Sequence, residues 1–226
     1  MSIGTRLVVA RNPAATAANL LANEALFQLS TAALLISGAF YIGATLFVYE
    51  VLKPVNRSLS LLAAFFSLVG VAIGALACLF AIAPFSLLKG GQLASVFTAE
   101  QLQALALMSL DLRIQANGVS FVFFGIHCFG VGYLIFRSTF MPRLVGTLMR
   151  LAGVSWLSFV FPPLANSLAP YNMLPCTIGE LSLSMWLLVK GVNVPRWIEV
   201  ATSGGAGRRS DAPAFLLQPL AKEAAL

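Results

Sequence analysis

Charged side chains are scarce in this sequence. Asp, Glu, Lys and Arg make up 10% of it, against about 25% in an average soluble domain. Hydrophobic residues make up 59%. That balance excludes a disordered chain and argues against a water-soluble fold. Histidine occurs once and cysteine three times, at Cys78, Cys128 and Cys176. So few ligands leave no basis for a structural zinc site. No two cysteines have CxxC spacing, and an odd count makes a poor disulfide framework. The thiols read as small buried hydrophobes. The chain also lacks HExxH, GxSxG and P-loop sequences, and carboxylates paired close together. The glycines of residues 203–210 follow no strand, so they do not form a dinucleotide loop. No cofactor is expected.

Long apolar runs are what the sequence does have. Five occur within 226 residues, at about 30–52, 59–88, 117–137, 143–163 and 173–191. About 20 mostly apolar residues cover about 30 Å of hydrocarbon, so each run is a candidate span. The expected fold is all-α, a polytopic membrane helix bundle of five transmembrane helices, forming one domain over residues 30–196. Residues 1–29 form an N-terminal segment; Pro13 and the Ala and Leu that follow predict an interfacial helix over residues 12–28. Thr98-Ala-Glu-Gln101 resembles a capping box. It predicts a short amphipathic helix near 99–110 on the outer surface. Gly70 and Gly74 form a GxxxG pair that allows close helix approach. The second run is overlong, and is expected to tilt or to stop near Pro84. Residues 197–226 read as a disordered cytoplasmic tail, with a short helix near 215–226.

The net charge of +6 comes from Lys and Arg placed at span ends. That is a topology signal rather than a nucleic-acid face. Lys53 and Arg57, Arg137 and Arg143, and Lys190 and Arg196 mark three connections. The connection 163–172 carries no basic residue. The bias puts the Lys53, Arg137 and Lys190 ends in the cytoplasm. The expectation is a multi-pass protein of the bacterial cell membrane, N-terminus outside and C-terminus inside. The lipid bilayer is the expected partner, with a homo-oligomer or another membrane protein as an open possibility.

An ionisable residue at membrane depth costs about 2.5 kcal/mol or more. Three lie well inside the runs: His127, Arg150 and Glu180. At about 1.5 Å per residue, His127 and Glu180 lie about 15 Å from the inner end, and Arg150 about 10 Å. Short connections make neighbours of spans three to five. Thr177, Glu180 and Ser184 share one helix stripe, Thr147 and Arg150 another, Ser120 and His127 a third. These residues are a candidate intramembrane polar cluster in which Glu180 pairs with Arg150 or carries a proton. A polar clamp that fixes helix register competes with a proton relay or substrate site. Glu50 lies near an end, within reach of Lys53 or Arg57.

Several stretches resemble the bacterial membrane family called domain of unknown function 4386. They are residues 14–29, Leu52-Lys-Pro-Val-Asn-Arg57 with Leu61-Leu-Ala-Ala-Phe-Phe66, the run from Phe123 through His127 to Leu134, Pro142-Arg143, and Gly179-Glu-Leu-Ser-Leu-Ser184 through Asn193. The resemblance covers roughly residues 14–193. It implies a multi-spanning protein without an established activity, so it transfers no catalytic residue. His127 and Glu180 fall on positions that match its pattern, whereas Arg150 stands where an aliphatic residue is usual. The family usually has one further apolar span before the Ala14 region, which would make both termini cytoplasmic. A structural, sensing or accessory role is the leading expectation. A small proton-coupled transporter or permease comes second, and an intramembrane enzyme acting on lipid third.

Overall fold

The computed structural model describes residues 12–210. Within them the chain forms α1 (Pro13–Ala22), α2 (Glu24–Leu52), α3 (Arg57–Leu88), α4 (Ala99–Arg137), α5 (Arg143–Leu157), α6 (Pro162–Leu168), α7 (Met173–Val189) and α8 (Val194–Ser210). Short 3-10 turns occupy Gly91–Ser95 and Ser158–Val160. No strand occurs among the described residues, as the all-α expectation requires.

Local chemistry sets the helix ends. Asn12 Oδ1 accepts from the Ala15 amide at 2.9 Å, starting α1. Asn23 then donates from Nδ2 to the Asn19 carbonyl at 2.9 Å, and the helix breaks there. Short amide side chains compete with the helix ladder in this way. The expected interfacial helix over 12–28 is therefore divided, and its second half opens the first span. Nor does α1 stand apart from the bundle. Leu20 packs with Phe27, Ala81, Phe85 and Leu110 at the ends of α2, α3 and α4. The helix α3 runs through Pro84, which is buried inside it, to Leu88.

The capping box at Thr98 and Gln101 forms as expected, with both reciprocal bonds. The outer amphipathic helix it was expected to start is not a separate element. It continues into the third apolar run as one helix of 39 residues, about 58 Å long and well beyond the hydrocarbon thickness. Asn117 and Gly118 do not interrupt it, because a glycine weakens a helix without ending it.

The count of five spans is not confirmed. Three helices, α2, α3 and α4, are individually long and apolar enough to cross a membrane. A fourth span exists if α6 and α7 count as one broken span, bent by 83°. The fourth run yields only the 15 residues of α5. It stops because Phe161 precedes Pro162 and adopts an extended conformation, as a residue before proline prefers. The described part of the expected disordered tail, residues 197–210, is helical within α8. Its start is fixed by an Asn193 Oδ1 bond to the Arg196 amide, and Trp197 Nε1 reaches the Val51 carbonyl at 2.9 Å. The helix expected near 215–226 lies outside the described residues.

Glycine decides how closely the central helices approach. A Cβ on Gly132 of α4 would lie 2.7 Å from the Gly146 carbonyl of α5, and one on Gly125 would lie 3.0 Å from the Gly153 carbonyl. Seven residues separate the glycines on each helix, so two antiparallel helices meet glycine to glycine twice. Gly179 of α7 sits as tightly on α5, with Ala152 and Leu148 in the way of a Cβ. Of the expected Gly70–Gly74 pair, Gly70 makes a close approach and Gly74 keeps ordinary room, with Ser120 Oγ 3.5 Å from its Cβ direction. Gly70 lies against the Phe124 ring of α4, and Ser120 Oγ donates to its carbonyl at 2.7 Å.

By contrast α2 is loosely held. Only Phe27, Thr31, Thr45 and Leu52 are buried on it. A hydroxyl pair, Thr45 with Ser67 at 2.7 Å, ties it to α3. The six basic residues of the three connections gather at one end of the bundle. There Leu52, Leu134, Phe140, Val145 and Leu183 form the larger core, with Trp186 and Trp197 against it.

Candidate intramembrane binding site

A cavity of about 450 Å³ opens between α2, α3 and α4, and reaches α5 and α7. Its walls are mainly apolar, from Leu34, Leu35 and Ile42 on α2, Val71 and Ala75 on α3, and Phe121 and Phe124 on α4. Gly38, Gly70 and Gly74 leave room by having no side chain. Polar groups enter at a few places: Ser37, Tyr41, Arg113, Asn117, Ser120, Trp156 and Glu180. Largely apolar walls with a few placed polar groups are the usual character of small-molecule sites, and the volume lies within their common range of about 300–1,000 Å³.

Glu180 on α7 is the group with the most unusual surroundings. Its Oε1 accepts from Trp156 Nε1 at 2.8 Å and from Cys128 Sγ at 3.8 Å. Trp156 in turn stacks on Phe121, with ring centroids 4.5 Å apart. The carboxyl is thus held between α4, α5 and α7 and presented to the cavity. At the far end, Arg113 stacks over Phe27 at 5.3 Å. It forms no ion pair among the described residues. The acid at that end, Glu24, is already paired with Lys89 at 2.7 Å. Arg113 lies 24 residues from Arg137 along α4, so about 36 Å away, near the opposite hydrocarbon boundary.

The expected cluster is only partly assembled. His127 and Glu180 share one level, because Glu180 meets the residue next to His127. They face different neighbours, however. His127 Nδ1 lies 2.9 Å from the Ala63 carbonyl of α3, with the Tyr41 ring at 6.2 Å. Arg150 does not meet Glu180. Its guanidinium lies over the Phe136 ring at 4.1 Å, with Nη2 3.5 Å from Thr147 Oγ1. A cation over an aromatic face keeps its charge without a carboxylate; of the two alternatives expected for Glu180, pairing with Arg150 does not occur. Thr177 and Ser184 are exposed and bond to their own helix, at the Met173 and Glu180 carbonyls. Only Ser120 and Glu180 of the expected six line the cavity. Glu50 pairs with Lys53, as its position near the end implied.

Tyr41, Arg113, Asn117 and Trp156 belong to the site without having been singled out in the sequence. Arg113 and Asn117 lay at or beyond the expected start of a span, and the continuous α4 brings them onto the cavity wall. No three His, Cys, Asp or Glu side chains converge as metal ligands among the described residues.

Apolar helices of this length, packed glycine to glycine with few charges inside, define a multi-spanning helical membrane protein. The sequence profile of the family Domain of unknown function (DUF4386) matches residues 1–191, and the chain belongs to that family. An uncharacterized protein of Archaeoglobus fulgidus is 27% identical over 147 residues, 64% of this chain and 72% of the relative. No solved structure matches.

Proposed function

We propose that this chain is a membrane-embedded binding protein with a sensing or accessory role, taking a small single-chain amphipath into the cavity between α2, α3 and α4. The observation that carries this reading is the cavity itself, apolar along its length, with the Trp156–Glu180 pair at one end and Arg113 at the other. The Arg113 guanidinium, in no ion pair among the described residues, favours an anionic polar end there, with the apolar body running toward Trp156. The sparse burial of α2 offers an entry path from the bilayer. Charge placement supports a cytoplasmic C-terminus and an outer N-terminus.

Heavy-atom quenching of Trp156 tests the reading. In nanodiscs, an ω-brominated dodecanoic acid should quench Trp156 saturably, with the Trp156→Phe protein as the blank. Gly74 lines the cavity and its Cβ direction is clear to 3.5 Å, so Gly74→Leu should fill the space and abolish saturable quenching at an unchanged unfolding temperature. Equal quenching in the Gly74→Leu protein would overturn the proposal.

A second reading, a small carrier, draws on one observation: a half-buried carboxyl on the longer arm of a broken span. Discontinuous helices recur at transporter sites. A proton-dependent flux in proteoliposomes, lost in Glu180→Gln, would favour it.

A further inference from the structure

A second cavity of about 450 Å³ lies at the basic end, between the α4–α5 connection and the α7–α8 connection. Thr139, Trp186, Lys190, Gly191, Asn193 and Arg196 contribute to its lining, and no acidic residue among the described ones does. Three features there point to an anion. The first is a pair of cations, Lys190 and Arg196, neither in an ion pair among the described residues. Arg196 is also held in place, because its Nη1 donates to the Thr139 carbonyl at 3.2 Å. The second is the start of the 17-residue helix α8, whose positive end faces this connection. The nearest acid on that helix, Glu199, is one turn further along and does not line the cavity.

The third feature is independent of charge. The chain has three tryptophans. Trp156 donates to Glu180 and Trp197 to the Val51 carbonyl. Trp186 Nε1 is buried and has no acceptor among the described residues. An unsatisfied buried donor costs about 1–3 kcal/mol, so this one calls for an acceptor that the described residues do not supply. The positive-inside bias explains Lys190 and Arg196 as topology markers, but it does not explain an indole without a partner among the described residues, on the wall of the same cavity.

We infer that this cavity is a binding site for a phosphate oxyanion, of the kind a phospholipid headgroup or a soluble phosphate ester presents, with Lys190 and Arg196 carrying the charge and Trp186 donating to a phosphate oxygen. The geometry fits a headgroup, since basic pockets between helices at a membrane face hold anionic lipids. The site is separate from the cavity between α2, α3 and α4 and stands or falls independently of it.

The test uses the full chain, nitrogen-labelled at tryptophan, in phosphatidylcholine nanodiscs. Adding phosphatidylglycerol to the discs, or soluble glycerol phosphate to the buffer, should move the Trp186 indole resonance. The Trp156 and Trp197 resonances should stay in place and so report an intact fold. Movement with phosphatidylglycerol alone identifies a lipid headgroup, and movement with glycerol phosphate as well identifies the free anion. Lys190→Gln with Arg196→Gln should weaken binding roughly thirtyfold. Lys53→Gln with Arg57→Gln, at the same end but outside the cavity, should leave it unchanged. If the double change at Lys190 and Arg196 disturbs the fold, Lys190→Gln alone should weaken binding roughly fivefold. A Trp186 resonance that ignores both additives, or that moves equally in the Lys190 and Arg196 variants, overturns the inference.

Discussion

Gly132 and Gly146 meet backbone to backbone: a Cβ on either would come within 2.8 Å of the other's carbonyl oxygen. The obstacle is main chain, which cannot swing aside as a side chain can. Gly132→Ala and Gly146→Ala should each destabilise the protein by about 1–3 kcal/mol, the usual cost of overpacking. Gly43→Ala is the control, because nothing lies within 4 Å of its Cβ direction; it should be neutral or slightly stabilising. Unfolding temperatures in one detergent, compared across the three proteins, check this. Equal behaviour would mean that α4 and α5 are not packed this closely.

The Trp156–Glu180 bond makes a prediction with a direction. Glu180→Gln keeps a carbonyl oxygen to accept from the indole, so stability should change by less than about 1 kcal/mol. Trp156→Phe removes the stronger of the two donors to the carboxyl, and should cost about 1–3 kcal/mol. Thermal unfolding in nanodiscs separates the two. A Glu180→Gln protein much less stable than Trp156→Phe would contradict the hydrogen-bond assignment.

His127 should prove structural. Its bond to the Ala63 carbonyl joins α4 to α3 across a buried contact. His127→Ala should lower stability by about 1–3 kcal/mol, while saturable quenching of Trp156 by the brominated acid persists below the new unfolding temperature. Loss of quenching with stability intact would instead place His127 in the binding site.

Orientation can be read by labelling. The three native cysteines are buried, so their background with a membrane-impermeant maleimide should be low. Ser95 and Ser203 are exposed and lie toward opposite ends of the bundle. Ser95→Cys should label in intact cells, and Ser203→Cys only after lysis. The reverse pattern would invert the proposed topology.

Composition and patterning by themselves determined the class of this protein. Scarce charge and long apolar runs require helices in lipid, because hydrocarbon cannot satisfy an open backbone. The capping box at Thr98, the close approach at Gly70 and the pairing of Glu50 with Lys53 were equally legible, since each depends on residues a few positions apart or on one small side chain. The number of spans was not. Apolar length measures what can lie in a membrane, whereas the Phe161–Pro162 break and the 83° bend between α6 and α7 decide which segments form one straight helix. The polar cluster was half legible for a similar reason. Counting residues fixes depth along an axis and put His127 and Glu180 at one level. Rotation about that axis is set by packing, and the glycine contacts between α4, α5 and α7 set it. They turn Arg150 onto Phe136, bring Trp156 rather than Arg150 to Glu180, and leave Trp186 facing no acceptor among the described residues. Which groups share a level belongs to the sequence; which of them touch is decided by how closely three helix backbones can approach.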